Sequence, residues 1–149
     1  MANAHLENPI TATEWFCGSE AETREAGQKL AGVLRGGEVL SLEGPLGAGK
    51  TTFVKGLAEG LGCCADEVSS PSFTLVHEYP NGRLSFVHLD LYRLDDPQEL
   101  AALGFDDLLT GQTVAAIEWG DKFPEALPPG TLRFVFSLDG AARKIRRIS

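Results

Sequence analysis

The chain contains 149 residues, of which 43% are hydrophobic and 23% are charged, a composition typical of a soluble globule that is long enough to bury a core. No apolar stretch approaches the roughly 20 residues that cross a membrane, and the polar start of the chain lacks the basic and apolar parts of a signal peptide, so a cytoplasmic protein without a membrane partner is expected. The net charge of −8 argues against direct binding of RNA or DNA, because neutralising phosphates supplies most of the non-specific affinity for nucleic acid.

The first predicted elements are a short strand and a helix. Glu14–Cys17 contains aromatic residues typical of a strand. Ser19, with Glu22 three residues later, forms a capping box, which predicts the start of a helix. The glycine pair Gly36-Gly37 predicts where this helix ends.

A glycine-rich loop follows the next predicted strand. Val39–Leu42 has the pattern of a buried strand, Gly44–Thr51 fits G-x-x-x-x-G-K-[ST], and helical periodicity continues to Gly62. In such a loop, backbone N–H groups and the positive end of the helix surround a phosphate. Lys50 would reach the β- and γ-phosphates, and the hydroxyl of Thr51 would ligate a magnesium ion. The alternative is a strand-to-helix turn that binds nothing.

This loop and the first turn of its helix supply most of the predicted nucleotide contacts. The candidate residues are Gly44, Leu46, Gly47, Ala48, Gly49, Lys50, Thr51 and Thr52. The expected cofactors are ATP and Mg²⁺. The sequence shows no guanine-reading N-K-x-D motif after its last strands, which favours ATP over GTP.

An extended region occupies the middle of the chain. Residues 73–89 predict a β-hairpin, in which Pro80-Asn81-Gly82 forms the turn and Leu84–Leu89 the second strand. Asp90 follows that strand, where a P-loop protein needs a carboxylate that holds magnesium through its waters. A turn or cap residue is the alternative for Asp90. Asp96 then marks the start of another helix.

A second carboxylate follows a second buried strand. Val114–Ile117 is a short apolar run that ends at Glu118. Because the strands of an α/β sheet present their carboxyl ends to the ligand, Gly44, Asp90 and Glu118 are expected to converge at one edge of the sheet. The alternative is that Glu118 is an exposed carboxylate beside a core tryptophan, Trp119.

The last predicted elements are strands. Leu132–Leu138 alternates as a half-buried strand, and Asp139-Gly140 suggests a turn. The basic run Arg143–Ile148 is predicted to be either a basic edge strand or a frayed end, and its charges to be either a solvated end or a binding patch.

The chain thus contains both strands and helices, and no linker or internal repeat divides it. The pattern predicts a single α/β domain over residues 1–149, with a short polar N-terminus at about 1–12 and a basic C-terminal end at about 141–149.

Four blocks of the sequence resemble the bacterial TsaE (YjeE) family. They are Leu42–Phe53, Ser70–Tyr79, His88–Leu94 and Ile117–Trp119. The first block alone is shared by very many P-loop proteins, whereas the second and third are specific to this family. The resemblance implies a single-domain P-loop NTPase with a central mixed β-sheet flanked by helices.

The resemblance also implies a function. The family is similar to small P-loop ATPases that work with TsaB and TsaD, which transfer a threonylcarbamoyl group to the adenosine adjacent to the anticodon of tRNAs reading codons that start with A. The expected activity is ATP binding and hydrolysis, slow for the protein alone and stimulated by its partner proteins. tRNA is expected to be reached only indirectly, through the complex.

Catalytic and metal-binding roles follow from the same resemblance. Thr51 and Asp90 are implied to hold magnesium, and Glu118 is implied to lie close to the metal or to orient the attacking water. Lys50, which draws charge from the γ-phosphate, completes the expected catalytic set of Glu118, Lys50 and Asp90.

Two further nucleotide contacts are implied only by the resemblance. Ser70–Tyr79 is expected to be a switch segment that senses the nucleotide, with Thr74 as its polar contact. Glu20, at the start of the first helix, is expected near the nucleotide base.

One loop position departs from the family pattern, and two other functions stay open. Pro45 stands where the family most often has an acidic residue, and proline lacks the N–H that would contact phosphate. A nucleotide-gated binding switch without required hydrolysis is one alternative function. A small-molecule kinase that uses the same loop is the other.

Overall fold

The computed structural model describes residues 14–45, 47–63, 76–79 and 82–148. In chain order, the elements are β1 (Glu14–Cys17), α1 (Glu20–Ala31), β2 (Val39–Glu43), α2 (Lys50–Gly60), β3 (Val76–Tyr79), β4 (Ser85–Asp90), α3 (Pro97–Ala102), α4 (Phe105–Leu108), β5 (Thr113–Glu118), two 3-10 helices (Gly120–Lys122 and Pro124–Ala126), β6 (Leu132–Asp139) and β7 (Ala142–Arg147). Within these residues, the helices are all too short or too polar to cross a membrane.

One mixed sheet contains the seven strands, in the spatial order β1-β7-β6-β2-β5-β4-β3. β2 is parallel to both β5 and β6, and β4 is parallel to β5, whereas the other pairs are antiparallel. The predicted α/β class with a central mixed sheet is therefore confirmed. The antiparallel pairing of β3 with β4 agrees with the predicted hairpin, although residues 80 and 81 of its turn lie outside the described residues.

The C-terminal strand β7 lies inside the sheet rather than at its edge. It pairs with β6 on one side and with β1 on the other, so that Ile145 is opposite both Trp15 and Phe136. The prediction of a strand is therefore confirmed for this basic run, whereas its predicted edge position and the alternative of a frayed end are wrong. The pairing joins residues from opposite ends of the chain, and a local pattern carries no information about such a contact.

Both faces of the central strands are buried, as expected for parallel strands with continuous apolar runs. Successive residues of a strand point to opposite faces. Phe86 and Ala116 pack in one core with residues of α1 and α2, whereas Val87 and Ile117 pack in a second core with residues of α3 and α4. By the same alternation, the polar residues that share the α2 side of the sheet are His88, Asp90 and Glu118.

Helices α1 and α2 pack closely against each other because glycines line their contact. A Cβ atom added to Gly27 would lie 2.3 Å from the carbonyl oxygen of Phe53, and one added to Gly56 would lie 1.9 Å from that of Arg24. Only glycine, which has no Cβ atom, fits at these two positions without a clash with the backbone of the facing helix. The close contact fixes α2, and with it the loop that precedes α2.

Both helices end earlier than the sequence predicts. The last helical residue of α1 is Ala31, and the glycine pair Gly36-Gly37 lies in the following loop. Arg83, which precedes β4, donates a hydrogen bond to the carbonyl oxygen of Ala31 at 2.5 Å, so a distant residue satisfies this helix end. Helix α2 ends at Gly60 rather than at Gly62.

We expect Gly56→Ala to destabilise the protein by about 3 kcal/mol, because the added methyl group would overlap the Arg24 carbonyl unless the two helices separate. Urea unfolding measures the change in the free energy of unfolding. Gly111→Ala is the matched control, since a Cβ atom at Gly111 would meet nothing within 4 Å. Equal stability of the two variants would contradict the close helix contact.

Candidate functional site

The carboxyl ends of three neighbouring parallel strands lie side by side. Leu42 of β2 is the partner of Glu118 of β5, and Glu118 is in turn the partner of Asp90 of β4. Gly44 directly follows Glu43, the last residue of β2. The register therefore brings Gly44, Asp90 and Glu118 to one edge of the sheet, as their positions after predicted strands indicate.

The loop after β2 depends on glycine at positions that no other residue fits. Gly44 and Gly49 have φ angles of 139° and 98°, which L side chains rarely adopt. A Cβ atom on Gly44 would also lie 2.4 Å from the carbonyl oxygen of Phe136. Gly47, by contrast, would meet nothing within 4 Å, so this part of the loop faces open space.

Lys50, the first residue of α2, directs its ammonium group into this loop. Its Nζ donates a hydrogen bond to the carbonyl oxygen of Gly44 at 2.5 Å, and only 4% of the residue is exposed. Burial lowers the pKa of Lys50 below its ordinary value, while the carboxylates of Glu118 and Asp90 act in the opposite direction. The loop thus holds a largely desolvated cation beside two acids.

Trp119 covers this cation from the sheet side. The Lys50 Nζ lies 4.3 Å from the centroid of the Trp119 ring, a cation–π distance. Trp119 has a φ of 63°, a strained conformation that is found at no other non-glycine residue in the described part of the chain. The alternative prediction of an exposed Glu118 is wrong, because Glu118 is 4% exposed, whereas Trp119 is partly buried and packs against the second core.

The buried carboxylate of Glu118 pairs with a buried histidine. The Oε2 of Glu118 lies 2.6 Å from Nε2 of His88, which is fully buried on the neighbouring strand β4. When Glu118 is ionised it accepts only, so the hydrogen bond requires the proton on Nε2. The other ring nitrogen, Nδ1, has no hydrogen-bond partner among the described residues. His88 therefore fixes one oxygen of Glu118.

Asp90 is half-buried and combines two predicted features. Its Oδ1 accepts a hydrogen bond from the backbone N–H of Tyr92 at 3.0 Å, the geometry of an Asx turn. Burial raises the pKa of the Asp90 carboxyl above its ordinary value; the Tyr92 hydrogen bond opposes this rise and the charge of Glu118 adds to it. Asp90 therefore acts as a turn residue and also lies beside Glu118, so the two alternatives predicted for it do not exclude each other.

On the other side of the sheet, a bidentate ion pair fixes the residue before the loop. Glu43, buried at the end of β2, accepts hydrogen bonds from Nε and Nη2 of Arg133 at 2.7 and 2.9 Å. The hydroxyl of Ser41 also donates to Glu43, at 3.2 Å. The last residue of β2 is thus anchored to β6 directly before Gly44.

A cavity of about 250 Å³ opens beside the loop and α2. Its lining residues are Ser19, Glu20, Thr23, Gly47, Gly49, Lys50, Thr51, Thr52, Glu118, Ala141 and Arg143. The predicted residues Glu20, Thr51 and Thr52 therefore share one cavity with Lys50 and Glu118. Gly44 and Ala48 belong to the loop, and Asp90 lies beside Glu118 at the end of β4, but none of the three lines the cavity. The predicted contacts Leu46 and Thr74, and most of the proposed switch segment Ser70–Tyr79, lie outside the described residues.

Two residues at the site are missed by the sequence predictions. His88 has the signal of a polar residue inside an apolar strand, at an even spacing from Asp90. Arg143 belongs to the basic run for which a binding patch is one alternative, but no local signal places it at this cavity, since only the pairing of β7 inside the sheet brings it there.

The family model described as "Threonylcarbamoyl adenosine biosynthesis protein TsaE" matches residues 17–147. The chain is 42% identical to the "tRNA threonylcarbamoyladenosine biosynthesis protein TsaE" of Bacillus subtilis (strain 168), over 85% of this chain and 78% of that protein. It is 37% identical to the protein of the same name from Aquifex aeolicus (strain VF5), over 86% of this chain and 90% of that one. Among solved structures, it is similar to the crystal structure of Bacillus subtilis YdiB, with a TM-score of 0.74 and 36% identity over 90% of this chain and 82% of that chain.

We expect His88→Ala to destabilise the protein by about 1–3 kcal/mol, because it leaves the buried Glu118 carboxylate without its donor. A double-mutant cycle with Glu118→Ala, measured by urea unfolding, isolates the pair. A coupling free energy of about 1 kcal/mol or more is expected. His88→Gln keeps an N–H donor and should recover part of the loss. Additive effects of the two alanine substitutions would contradict a direct interaction.

Asp90→Asn is expected to raise the melting temperature at pH 7. The pKa of Asp90 is raised in the folded state, so folding favours the protonated form, and stability falls as the pH rises from the ordinary pKa through the raised one. The side-chain amide of the Asp90→Asn variant does not ionise, so the variant does not lose stability in this way. The ordinary pKa of aspartate is about 4, and below this pH the melting temperatures of the variant and the wild type should converge. A constant difference across a thermal-unfolding series from pH 3.5 to 8 would argue against burial of the charge as its cause.

Proposed function

Because the chain belongs to the TsaE family of threonylcarbamoyl adenosine biosynthesis proteins, we propose that it binds and hydrolyses ATP in support of threonylcarbamoyladenosine formation in tRNA. Its proposed partners are TsaB and TsaD, and its proposed location is the cytoplasm. The net charge of −8 supports contact with tRNA only through the complex.

The observation that carries this proposal is the position of Lys50. Its ammonium group lies inside a loop that joins a buried strand to a helix, with Glu118 on the adjacent strand end. This is the arrangement that a Walker A lysine needs in order to neutralise the β- and γ-phosphates. A strand-to-helix turn without a ligand gives no reason to bury a lysine to this extent.

The loop has the features that a phosphate group requires. Open space lies beside Gly47, α2 presents its N-terminus to the loop, and Lys50 supplies the positive charge. Pro45 supplies no N–H, and the N–H of Ala48 donates to the carbonyl oxygen of Pro45 at 3.3 Å. We therefore assign the phosphate contacts mainly to Lys50 and to the backbone at Gly47 and Gly49.

We propose that Thr51, Asp90 and Glu118 hold Mg²⁺, directly or through water. Across the described ranges, no group of three or more His, Cys, Asp or Glu side chains is arranged to bind a metal ion. When bound, Mg²⁺ would supply charge neutralisation at the phosphate oxygens.

We assign to Glu118 the orientation of the attacking water. His88 occupies one carboxylate oxygen of Glu118, and Glu118 lines the cavity next to Lys50 and Thr51. A carboxylate that is fixed on one side can accept a hydrogen bond from water on the other. Hydrolysis in such a site depends on positioning and charge neutralisation rather than on a covalent intermediate.

Turnover by the isolated protein is proposed to be slow. The Lys50 ammonium donates to the Gly44 carbonyl and must exchange this bond for phosphate contacts. We propose that TsaB and TsaD favour the arrangement with the phosphate contacts and so stimulate hydrolysis.

Lys50→Ala is expected to weaken ATP binding by about 100-fold, because it removes a charge-assisted contact to phosphate. Glu118→Ala should retain binding and lower the hydrolysis rate by about 100-fold or more. Isothermal titration calorimetry and phosphate release, both with TsaB and TsaD present, measure these effects. Lys55→Ala, on the same helix as Lys50, is the control and should change neither quantity. Unaltered ATP binding by the Lys50 variant would refute the proposed site.

The same Glu118→Ala protein separates an ATPase from a nucleotide-gated switch. If hydrolysis is required, multiple-turnover modification of tRNA by the complex should stop although ATP still binds. Unchanged modification would instead favour a switch that responds to ATP occupancy alone.

A further inference from the structure

A second cation reaches the cavity from the last strand of the sheet. The backbone of Arg143 is held between Cys17 of β1 and Leu138 of β6. Its Nε donates a hydrogen bond to the carbonyl oxygen of Gly47, in the phosphate-binding loop, at 3.1 Å. Arg143 lines the same cavity as Lys50.

The stem of Arg143 is packed whereas its guanidinium retains unused donors. Its Cγ and Cδ atoms lie 3.7 and 3.9 Å from the position of a Cβ atom on Gly49. Nη1 donates to the carbonyl oxygens of Ala141 and Ala142 at 3.1 and 3.5 Å. Nη2 makes no hydrogen bond to a described residue, and a guanidinium has five N–H donors in total. Donors thus remain for a ligand in the cavity.

The charges around the cavity require such a cation. Glu20 and Glu118 line it, whereas Lys50 and Arg143 are the basic residues in its lining. A nucleoside triphosphate adds several negative charges of its own, and Lys50 is buried against Gly44 and Trp119. One lysine therefore faces both the acids and the phosphates, and a second cation offsets the repulsion between them.

We propose that Arg143 is a phosphate-binding residue of the nucleotide site, which exchanges the Gly47 carbonyl for phosphate oxygens when a nucleoside di- or triphosphate binds. The inference rests on the proposed function, because it takes the ligand to be that nucleotide. Lys50 binds from the inner side of the loop and Arg143 from the exposed side. A guanidinium suits this role because its planar N–H groups pair with two phosphate oxygens at once.

Titration of ATP with Arg143→Ala tests the proposal, and Arg146→Ala is the matched control. Arg146 lies on the same strand but points to the opposite face and is exposed. We expect Arg143→Ala to raise the Kd for ATP about tenfold and to reduce the salt dependence of binding, since one charge-assisted contact is lost. Arg143→Lys, which keeps the charge without the planar donors, should show a smaller increase, and Arg146→Ala should bind like wild type.

Thermal unfolding without nucleotide shows whether each variant is folded. Equal ATP affinities of Arg143→Ala and Arg146→Ala would overturn the proposal. So would weaker binding with an unchanged salt dependence, because Arg143 would then act only through the shape of the loop. Failure of the wild-type protein to bind ATP would instead overturn the proposed function, and with it this inference.

Discussion

The parallel pairing of β2 and β4 with β5 is the constraint on which the site depends. This register sets Leu42, Glu118 and Asp90 in one row and fixes where the loop leaves the sheet. Since side chains alternate along a strand, a slip of one residue would turn both carboxylates to the opposite face. The continuous apolar runs of these strands, buried on both faces, make such a slip costly. Packing of the two cores therefore positions the acids.

Burial of the charges of Lys50 and Asp90 at this edge opposes folding. Burial lowers the pKa of Lys50 and raises that of Asp90, so that folding favours the neutral form of each side chain. Trp119 also has a strained backbone. Partial compensation comes from the Lys50 contact with Gly44 and from the pairing of Glu118 with His88. Shifted pKa values of this kind cluster at functional sites, which fits a site that receives a charged ligand.

Local sequence signals predict the elements well and their distant contacts poorly. The helix start predicted at Asp96 forms, with the Asp96 side chain accepting from the Gln98 N–H and the Glu99 side chain from the Asp96 N–H, because these bonds involve neighbouring residues only. The strand ends at Asp90 and Glu118 are also predictable, from apolar runs followed by a carboxylate. The end of α1 and the place of β7 are not, because the first depends on Arg83 and the second on pairing between chain ends.

The cavity couples the two halves of the sheet through residues that are distant in sequence. Glu20 comes from α1, Lys50 from the loop helix, Glu118 from a central strand and Arg143 from β7, which is held in place by β1. A ligand that contacts all four of these residues binds only the folded protein, so its binding free energy adds to the stability of the whole sheet. The same coupling means that a partner protein that moves the loop would also change the fit of α1 and β7 around the ligand. Occupancy of the cavity by such a ligand and the packing of the sheet edge are therefore expected to be linked.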